Sequence, residues 1–335
     1  MAQEAGQDNV VLQVSNLRKL FPVSRGIVDT LLLRPQRYVH AVDGVSFSMA
    51  RGEILGLVGE SGSGKTTTAL CVLGLIEPTK GEILFNGQSV PALVRGRQRQ
   101  SLRRQMQIIF QDPYESLNPR QTVFATVAEP VEVHRLTRGR EQKVERVTAA
   151  LNAAGLKPPE TFFKRYPEDL SGGQRQRVVI AGALVLNPRL LVADEPVSML
   201  DVSIRAEILN LLRELRDEHR ITILYITHDL ATAAHFTDRV AVMYLGRIVE
   251  IGPTRTVLSD PRHPYTKALL SVIPVPNPRR RRKRMILAGE TPNPIDLPSG
   301  CRFHPRCPVA TEDCRQNDPT LVQASENHEV ACLSI

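Results

Sequence analysis

The chain has 335 residues and a net charge of +8, and 42% of its residues are hydrophobic while only 4% are aromatic. This length favours two domains, or one large domain with an appendage, around a core of aliphatic side chains. No apolar run approaches the ~20 residues that a membrane-spanning helix needs, and the polar segment Met1–Val10 lacks the apolar core of a secretion signal. We therefore expect the protein to be made and kept in the cytoplasm.

The positive charge is concentrated in two blocks. Such runs hold nucleic acid or an anionic membrane surface in some proteins, and in others they are solvated linkers or helix faces. Both interpretations stay open for the two blocks, which are Arg95, Arg97, Arg99, Arg103 and Arg104, and the run of arginines with one lysine at 279–284.

The predicted elements, taken in chain order, mix strands with helices and predict an α/β fold. After about Ile273 the chain becomes rich in proline and arginine, so we place a boundary between a domain of residues 1–273 and an extension of residues 274–335. Strands are predicted at 10–14, 42–49, 53–58, 82–85, 105–110, 190–193 and 221–226, and helices at 66–75 and 204–218. An inserted loop is predicted at 22–39, and a mainly helical stretch at 113–183 is broken by prolines such as Pro130. A hairpin is predicted at 240–251, with its turn at Leu245-Gly246.

A phosphate-binding loop stands out at residues 59–66, which read Gly-Glu-Ser-Gly-Ser-Gly-Lys-Thr and match G-x-x-x-x-G-K-[ST] between a predicted strand and a predicted helix. Glycines let consecutive N–H groups point at an anion, and the helix adds its positive dipole end. Lys65 is expected to reach the β- and γ-phosphates and the Thr66 hydroxyl to bind Mg²⁺. The predicted phosphate contacts are Gly59, Ser61, Gly62, Ser63, Gly64, Lys65, Thr66 and Thr67.

Two further segments carry functional groups at the start of a helix or the end of a strand. The strand at 190–193 ends in Asp194 and Glu195, where Asp194 can hold Mg²⁺ and Glu195 can polarise a water against the γ-phosphate. In Leu170-Ser-Gly-Gly-Gln174, Ser171 is a good helix N-cap and two glycines expose the N–H groups at that helix start. The second anion site is expected to clamp ATP bound on another subunit through Ser171, Gly172, Gly173 and Gln174.

These segments, in this order, resemble the ATP-binding cassette (ABC) family. The resemblance implies a P-loop NTPase fold with an antiparallel β subdomain, a helical subdomain at about 113–183 and a small C-terminal extension. It also implies that Gln111 is the Q-loop residue, which binds Mg²⁺ and senses the γ-phosphate, and that His228 is the switch histidine that holds the attacking water with Glu195. Ser198-Met-Leu-Asp201 is similar to the D-loop, although the family usually has alanine where Met199 stands.

The same resemblance places an aromatic residue against adenine. Phe21 aligns with that aromatic, and Tyr38 and His40 are rivals because the inserted loop blurs the alignment. The family mechanism then implies two cassettes that meet head to tail with two ATP molecules between them, and that open when hydrolysis removes the γ-phosphate bridge. All catalytic positions are present, namely Lys65, Gln111, Glu195 and His228.

Four of the five cysteines, Cys301, Cys307, Cys314 and Cys332, lie in the extension, while Cys71 is expected in the core. Clustered cysteines in a cytosolic protein more often hold metal than form disulfides. Their wide spacing lacks the close pairs typical of zinc and favours a [4Fe–4S] cluster; zinc and no metal stay open. His304 is expected to be structural, with a role as a ligand as the alternative.

The extension also narrows the function. Two segments are similar to cassettes of oligopeptide and dipeptide importers, a resemblance that also implies a [4Fe–4S] cluster. They are Pro298-Ser-Gly-Cys301-Arg-Phe-His-Pro-Arg-Cys307-Pro and Pro264-Tyr-Thr-Lys-Ala-Leu269. This implies an ATPase at the cytoplasmic face of the membrane that pairs with a second, similar ATPase subunit and docks on two permeases fed by an extracytoplasmic binding protein. An importer cassette for nickel or another small solute is an alternative. A soluble ABC ATPase acting on nucleic acid is another, and a nucleic-acid partner is not expected.

Overall fold

The computed structural model describes residues 9–25, 35–273 and 285–334. The basic block at 279–284, and half of the inserted loop predicted at 22–39, namely residues 26–34, lie outside these residues. Within the described part of the chain, no helix is both long enough and apolar enough to cross a bilayer.

Strands and helices alternate along the chain as the sequence predicts. The described strands are β1 (Val10–Pro22), β2 (Tyr38–Ala50), β3 (Ile54–Val58), β4 (Lys80–Phe85), β5 (Gln88–Ser89), β6 (Met106–Ile109), β7 (Leu190–Asp194), β8 (Thr222–Thr227), β9 (Arg239–Tyr244), β10 (Arg247–Pro253), β11 (Val322–Ser325) and β12 (His328–Val330). The described helices are α1 (Lys65–Val72), α2 (Val90–Arg95), α3 (Arg99–Gln105), α4 (Pro113–Ser116), α5 (Val123–Val133), α6 (Arg140–Ala153), α7 (Gly172–Leu184), α8 (Val202–His219), α9 (Leu230–Phe236), α10 (Thr254–Ser259), α11 (Pro264–Ser271) and α12 (Glu312–Gln316), with 3₁₀ turns at Pro159–Thr161, Pro167–Asp169 and His304–Arg306.

The described residues form two compact units that interleave along the chain. We call the first the helical unit; it comprises residues 9–11, 49–54 and 90–225. We call the second the phosphate-loop unit; it comprises the described residues within 12–48, 55–89 and 226–334. The C-terminal extension therefore belongs to the same unit as the phosphate loop.

The phosphate-loop unit contains most of an antiparallel sheet in the order β2-β1-β4-β5 and a second group of paired strands in the order β11-β12-β10-β9-β3. β3 pairs with β9 in parallel, and every residue of β3 is buried, as its continuous apolar run predicts. β9 and β10 form the predicted hairpin, in which Leu245 at φ 44° and Gly246 at φ 81° make the two-residue turn. β12 of the extension pairs with β10.

The helical unit contains β6, β7 and β8 side by side, and β6 pairs with β7 in parallel. Between 113 and 183, every described regular element is a helix, which confirms the predicted helical stretch. Pro130 does not break it, contrary to the prediction, because it lies inside α5, three residues before the helix ends. A proline there removes one N–H near a terminus without ending the helix.

The first strand differs from its prediction. β1 runs on from the predicted end at Val14 to Pro22, through a register shift against β4 between Ser15 and Arg18. Asn16 has φ 48° at this bulge. The bulge disturbs the alternation of apolar and polar residues on which the sequence prediction depends. The helix predicted at 66–75 is α1, which ends at Val72.

Candidate functional site

The phosphate loop leaves the buried strand β3 and enters α1. Gly62 and Gly64 have φ 78° and 102°, a region that residues with side chains rarely adopt. A Cβ atom on Gly59 would lie 2.1 Å from the Met243 carbonyl oxygen, and one on Gly64 would lie 2.1 Å from that of Ala41. The glycine pattern is thus required by backbone conformation and by close contacts.

The lysine and the hydroxyls of this loop differ in burial and in their contacts. Nζ of Lys65 donates to the carbonyl oxygens of Gly59 at 2.8 Å and Glu60 at 2.9 Å, so the backbone of the loop holds the ammonium in place. Thr66 is exposed at the start of α1. The Ser63 hydroxyl is buried and has no hydrogen-bond partner among the described residues. Ser61 is exposed and Thr67 is half-buried.

Two other predicted residues belong to the same unit. His228 is exposed and directly follows the fully buried strand β8, and the next residue, Asp229, caps α9. Phe21 is 37% exposed near the end of β1, with Nζ of Lys19 4.9 Å from its ring centroid. Its rival Tyr38 is 40% exposed, so both rings are available for stacking.

The carboxylates lie in the helical unit. Asp194 ends the fully buried strand β7 and is itself buried. Glu195 follows in the left-handed conformation, at φ 46°, which is a strained backbone for a residue with a long side chain. Nε2 of Gln111 donates to Oε2 of Glu195 at 3.2 Å. The structure thus brings the predicted Q-loop residue and the predicted general base together.

The segment 170–174, which we call the signature segment, leads into α7 in the same unit, with Ser171 as the N-cap of the helix. The Ser171 hydroxyl accepts from the Gln174 N–H at 3.3 Å and the Gln174 side chain accepts from the Ser171 N–H at 3.1 Å, which forms a capping box. Ser171 is exposed, and a Cβ on Gly173 would lie 2.7 Å from Cγ2 of Ile204. The helix start therefore presents backbone N–H groups at the surface.

One contact next to the signature segment has no signal in the sequence. Tyr114, in the segment after Gln111, is 58% exposed, and the guanidinium of Arg175 lies 4.3 Å from its ring centroid. Arg175 also donates to the Pro167 carbonyl at 2.7 Å. This cation–π contact joins the Q-loop segment to the start of α7.

The extension is fixed to the rest of the phosphate-loop unit by buried polar contacts that the sequence did not predict. Arg302 pairs with Asp43 and donates to the Leu245 carbonyl at 2.7 Å. Burial opposes ionisation of Asp43, but the hydrogen bond and charge of Arg302 hold the pKa of that carboxyl below its usual value. His328 in β12 lies 2.8 Å from Oε1 of Glu250, and both side chains are fully buried.

The four cysteines of the extension lie near one another. Burial raises the pKa of Cys301 to about 11, and the neighbouring thiolates of Cys314, Cys307 and Cys332 add to that rise because like charges repel. The Cys301 N–H donates to the Cys314 carbonyl at 2.9 Å. Across the described ranges, no three Cys, His, Asp or Glu side chains are grouped to hold one metal ion. Cys71 is fully buried, which confirms it as a core residue.

His304 and the first basic block have ordinary environments. Nδ1 of His304 lies 2.9 Å from the Cys301 carbonyl oxygen, as expected of a structural histidine. Four arginines of the block, on α2, on α3 and in the turn between them, are exposed, which is typical of a solvated surface; they are Arg95, Arg97, Arg99 and Arg104.

Comparison with known proteins decides the family. The family model described as "ABC transporter" matches residues 42–198, and the model described as "Oligopeptide/dipeptide transporter, C-terminal region" matches residues 249–314. The oligopeptide transport ATP-binding protein AppF of Bacillus subtilis is 46% identical over 98% of both chains. The dipeptide transport ATP-binding protein DppF of Haemophilus influenzae is 45% identical over the full length of both.

The chain belongs to the ABC transporter family. Within that family it belongs with the ATP-binding proteins of oligopeptide and dipeptide transporters, and it is an ATPase. This confirms the family resemblance that the sequence motifs carry. ATP and Mg²⁺ are the substrate and the ion of an ABC ATPase.

Solved structures agree with the ABC fold. The cassette cbiO1 of Clostridium perfringens, part of the ABC transporter complex cbiONQ, superposes with a TM-score of 0.63 at 30% identity and covers 75% of this chain and 92% of its own. The ATP-binding cassette MJ0796, solved as a dimer in a post-hydrolysis state with ADP and Pi, has a TM-score of 0.61 at 29% identity. The match covers 73% of this chain and 99% of the MJ0796 chain. The predicted fold class is thereby confirmed.

Proposed function

We propose that this ABC ATPase powers the import of peptides through a membrane transporter. The observation that carries the proposal is the match of residues 249–314 to the C-terminal region of oligopeptide and dipeptide transporters, because an ABC cassette as such does not specify a solute. The relatives named above are peptide transporter subunits, which favours peptides over nickel or another small solute and over nucleic acid.

The assembly follows from the family. The chain pairs with a second ATPase subunit, most simply a different one, and the pair docks at the cytoplasmic face of the membrane on two permeases that receive peptide from an extracytoplasmic binding protein. The Q-loop segment with Tyr114 and the helical stretch at 113–183 form the dock. Residues 1–273 act as the nucleotide-binding domain and 274–335 as its extension. The dimer solved for MJ0796 supports pairing between cassettes.

The predicted site residues have distinct proposed roles. In the phosphate-loop unit, the loop N–H groups and Lys65 hold the nucleotide phosphates, Thr66 offers its hydroxyl to Mg²⁺, and Phe21 stacks on adenine. In the helical unit, Asp194 and Gln111 supply the oxygen ligands that Mg²⁺ prefers.

Hydrolysis needs a base beside the attacking water. Glu195 accepts a proton from that water, and its strained backbone and the Gln111 amide fix where its carboxylate points. His228 orients the water and contacts the γ-phosphate. The capped N-terminus of α7, with Ser171 and Gly173, clamps the γ-phosphate of ATP bound on the partner cassette.

The variant Glu195→Gln tests this scheme. It keeps a side chain of the same size that can still accept from Gln111, so ATP binding is expected to be unchanged. Loss of the base is expected to lower the ATPase rate of the assembled transporter by about a hundredfold or more, to abolish uptake of labelled peptide, and to trap a closed cassette dimer. The matched control is Glu207→Gln, an exposed carboxylate of the helical unit that pairs with Arg177.

A normal ATPase rate for Glu195→Gln would contradict its role as the base. Uptake of nickel but not of labelled peptide by the wild-type transporter would contradict the proposed solute. ATPase stimulation by DNA or RNA, without any permease, would favour the nucleic-acid alternative.

We also propose that Cys301, Cys307, Cys314 and Cys332 hold a [4Fe–4S] cluster. The support is the wide spacing of four cysteines within one short extension, together with the backbone hydrogen bond from the Cys301 N–H to the Cys314 carbonyl at 2.9 Å. A cluster spreads its thiolate ligands more widely than a single tetrahedral zinc ion, which binds sulfur at about 2.3 Å. The cluster would then act as a cross-link within a small extension.

Iron analysis and visible absorbance of anaerobically purified protein test the cluster. Wild type is expected to be coloured and to contain iron, and Cys301→Ser is expected to lower both. Cys71→Ala is the control, because that cysteine lies in the core away from the extension. A colourless, iron-free wild type that still hydrolyses ATP would overturn the proposal, and stoichiometric zinc in its place would favour the alternative metal.

A further inference from the structure

The second residue of the phosphate loop, Glu60, is held by side chains of the C-terminal extension. Nη1 of Arg306 donates to Oε2 of Glu60 at 2.9 Å, and Nη2 donates to Oε1 at 3.3 Å. The Thr291 hydroxyl donates to the same Oε2 at 2.7 Å. A guanidinium that faces both oxygens of a carboxylate makes a strong and directional ion pair.

The backbone of Glu60 makes two further contacts within the same unit. Its N–H donates to the Tyr265 hydroxyl at 2.9 Å. Its carbonyl accepts from Nζ of Lys65 at 2.9 Å. One residue therefore connects the extension to the lysine that contacts phosphate, and a shift of Glu60 changes where that ammonium is held.

Arg306 has little freedom of its own. Only 10% of its side chain is exposed, against 31% for Glu60. It ends the 3₁₀ turn His304–Arg306, and its guanidinium lies 5.9 Å from the ring centroid of Tyr244. The Tyr244 ring packs in turn on Tyr265 at a centroid distance of 4.8 Å. The cation is thus fixed before any nucleotide binds, which avoids an ordering cost at that step.

We infer that Arg306 is a positioning residue for the nucleotide phosphates, acting through Glu60 on the phosphate loop. The inference rests on ATP binding at this loop. Arg306 neutralises a carboxylate beside an anion site and fixes the backbone that carries Lys65. Without it, Glu60 would repel the triphosphate, and this repulsion grows with the number of phosphates.

The first test compares nucleotides that differ only in phosphates. In Arg306→Met, which removes the charge and keeps most of the aliphatic bulk, the dissociation constant of ATP is expected to rise about tenfold, or about 1.4 kcal/mol. The effect on ADP is expected to be smaller and that on AMP negligible. The control Arg315→Met removes an exposed extension arginine that pairs only with nearby Glu312 among the described contacts, and it is expected to bind ATP as wild type does.

The second test asks whether the effect passes through Glu60. In the double variant Glu60→Gln with Arg306→Met, ATP affinity is expected to return to within about threefold of wild type, since the repelling charge is gone. A merely structural role for Arg306 would leave the double variant at least as weak as the single one. Thermal unfolding of each variant shows whether it is folded. Should Arg306→Met not fold, Arg306→Lys carries the test: it keeps the charge but loses the fork, and is expected to weaken ATP binding about threefold with AMP unchanged.

Three results would overturn the inference. They are unchanged ATP affinity in the folded Arg306 variant, equal weakening of ATP and AMP, and no recovery in the double variant. A wild-type chain that binds no ATP in the same titration would instead remove the proposed function on which the inference rests.

Discussion

His263 lies in a position that makes the stability of the phosphate-loop unit depend on pH. The residue is 1% exposed, and its ring Nδ1 accepts from the Tyr265 backbone N–H at 3.1 Å. The backbone N–H of His263 donates to Oε2 of Glu250 at 3.0 Å. Burial, with a smaller contribution from the charge of Lys267, lowers the pKa of His263 to about 3. The folded state therefore holds a neutral imidazole.

The sign and size of the effect follow from proton linkage. The unfolded chain has a histidine pKa of about 6.5, so below that value the unfolded state takes up a proton that the folded state refuses. Stability is lost as the pH falls from about 6.5 towards the folded pKa of about 3. Between about pH 7 and about pH 5 this one group lowers the free energy of unfolding by about 2 kcal/mol.

Urea unfolding followed by far-UV circular dichroism measures this difference at the two pH values. The variant His263→Asn keeps a side-chain acceptor for the Tyr265 N–H but does not titrate, so its pH-dependent loss is expected to be about 2 kcal/mol smaller than that of wild type. His219→Asn, at an exposed position, is the control and is expected to lose as much as wild type. Equal losses in wild type and His263→Asn would refute the reasoning.

Two other predictions concern the phosphate loop and the attachment of the extension. Gly64→Ala would place a Cβ at φ 102° and 2.1 Å from the Ala41 carbonyl oxygen, so the loop must shift, and a fluorescent-nucleotide titration is expected to show ATP affinity reduced more than tenfold. His328→Ala leaves the buried Glu250 without its imidazole partner and is expected to lower the free energy of unfolding by about 3 kcal/mol in urea.

Local chemistry made several parts of the fold and site predictable. The phosphate loop is predictable because its left-handed backbone and its close contacts require glycine at fixed positions. The hairpin at Leu245-Gly246 follows from a two-residue turn between apolar runs, and the start of α7 from the capping box of Ser171 and Gln174. In each case the residues that decide the structure lie within a few positions of one another.

The remaining features depend on contacts between distant parts of the chain. β1 continues past Val14 because it pairs with β4 across a bulge that breaks its alternation. Glu60 and Arg306 are 246 positions apart, and each alone is an ordinary charged residue. No periodicity or spacing marks such a pair, so only the folded chain reveals it.

A short segment of the extension that carries two of the thiols also contacts the phosphate loop. Cys301 and Cys307 enclose a short stretch in which Arg302 pairs with Asp43, Phe303 packs at 5.2 Å from Tyr244, and Arg306 holds Glu60. The three anchors thus lie between the two thiols within seven residues of the chain. A ligand that fixes the thiols is therefore expected to fix Arg306 as well. The same contacts would then stabilise both the cysteine-bearing segment and the phosphate loop.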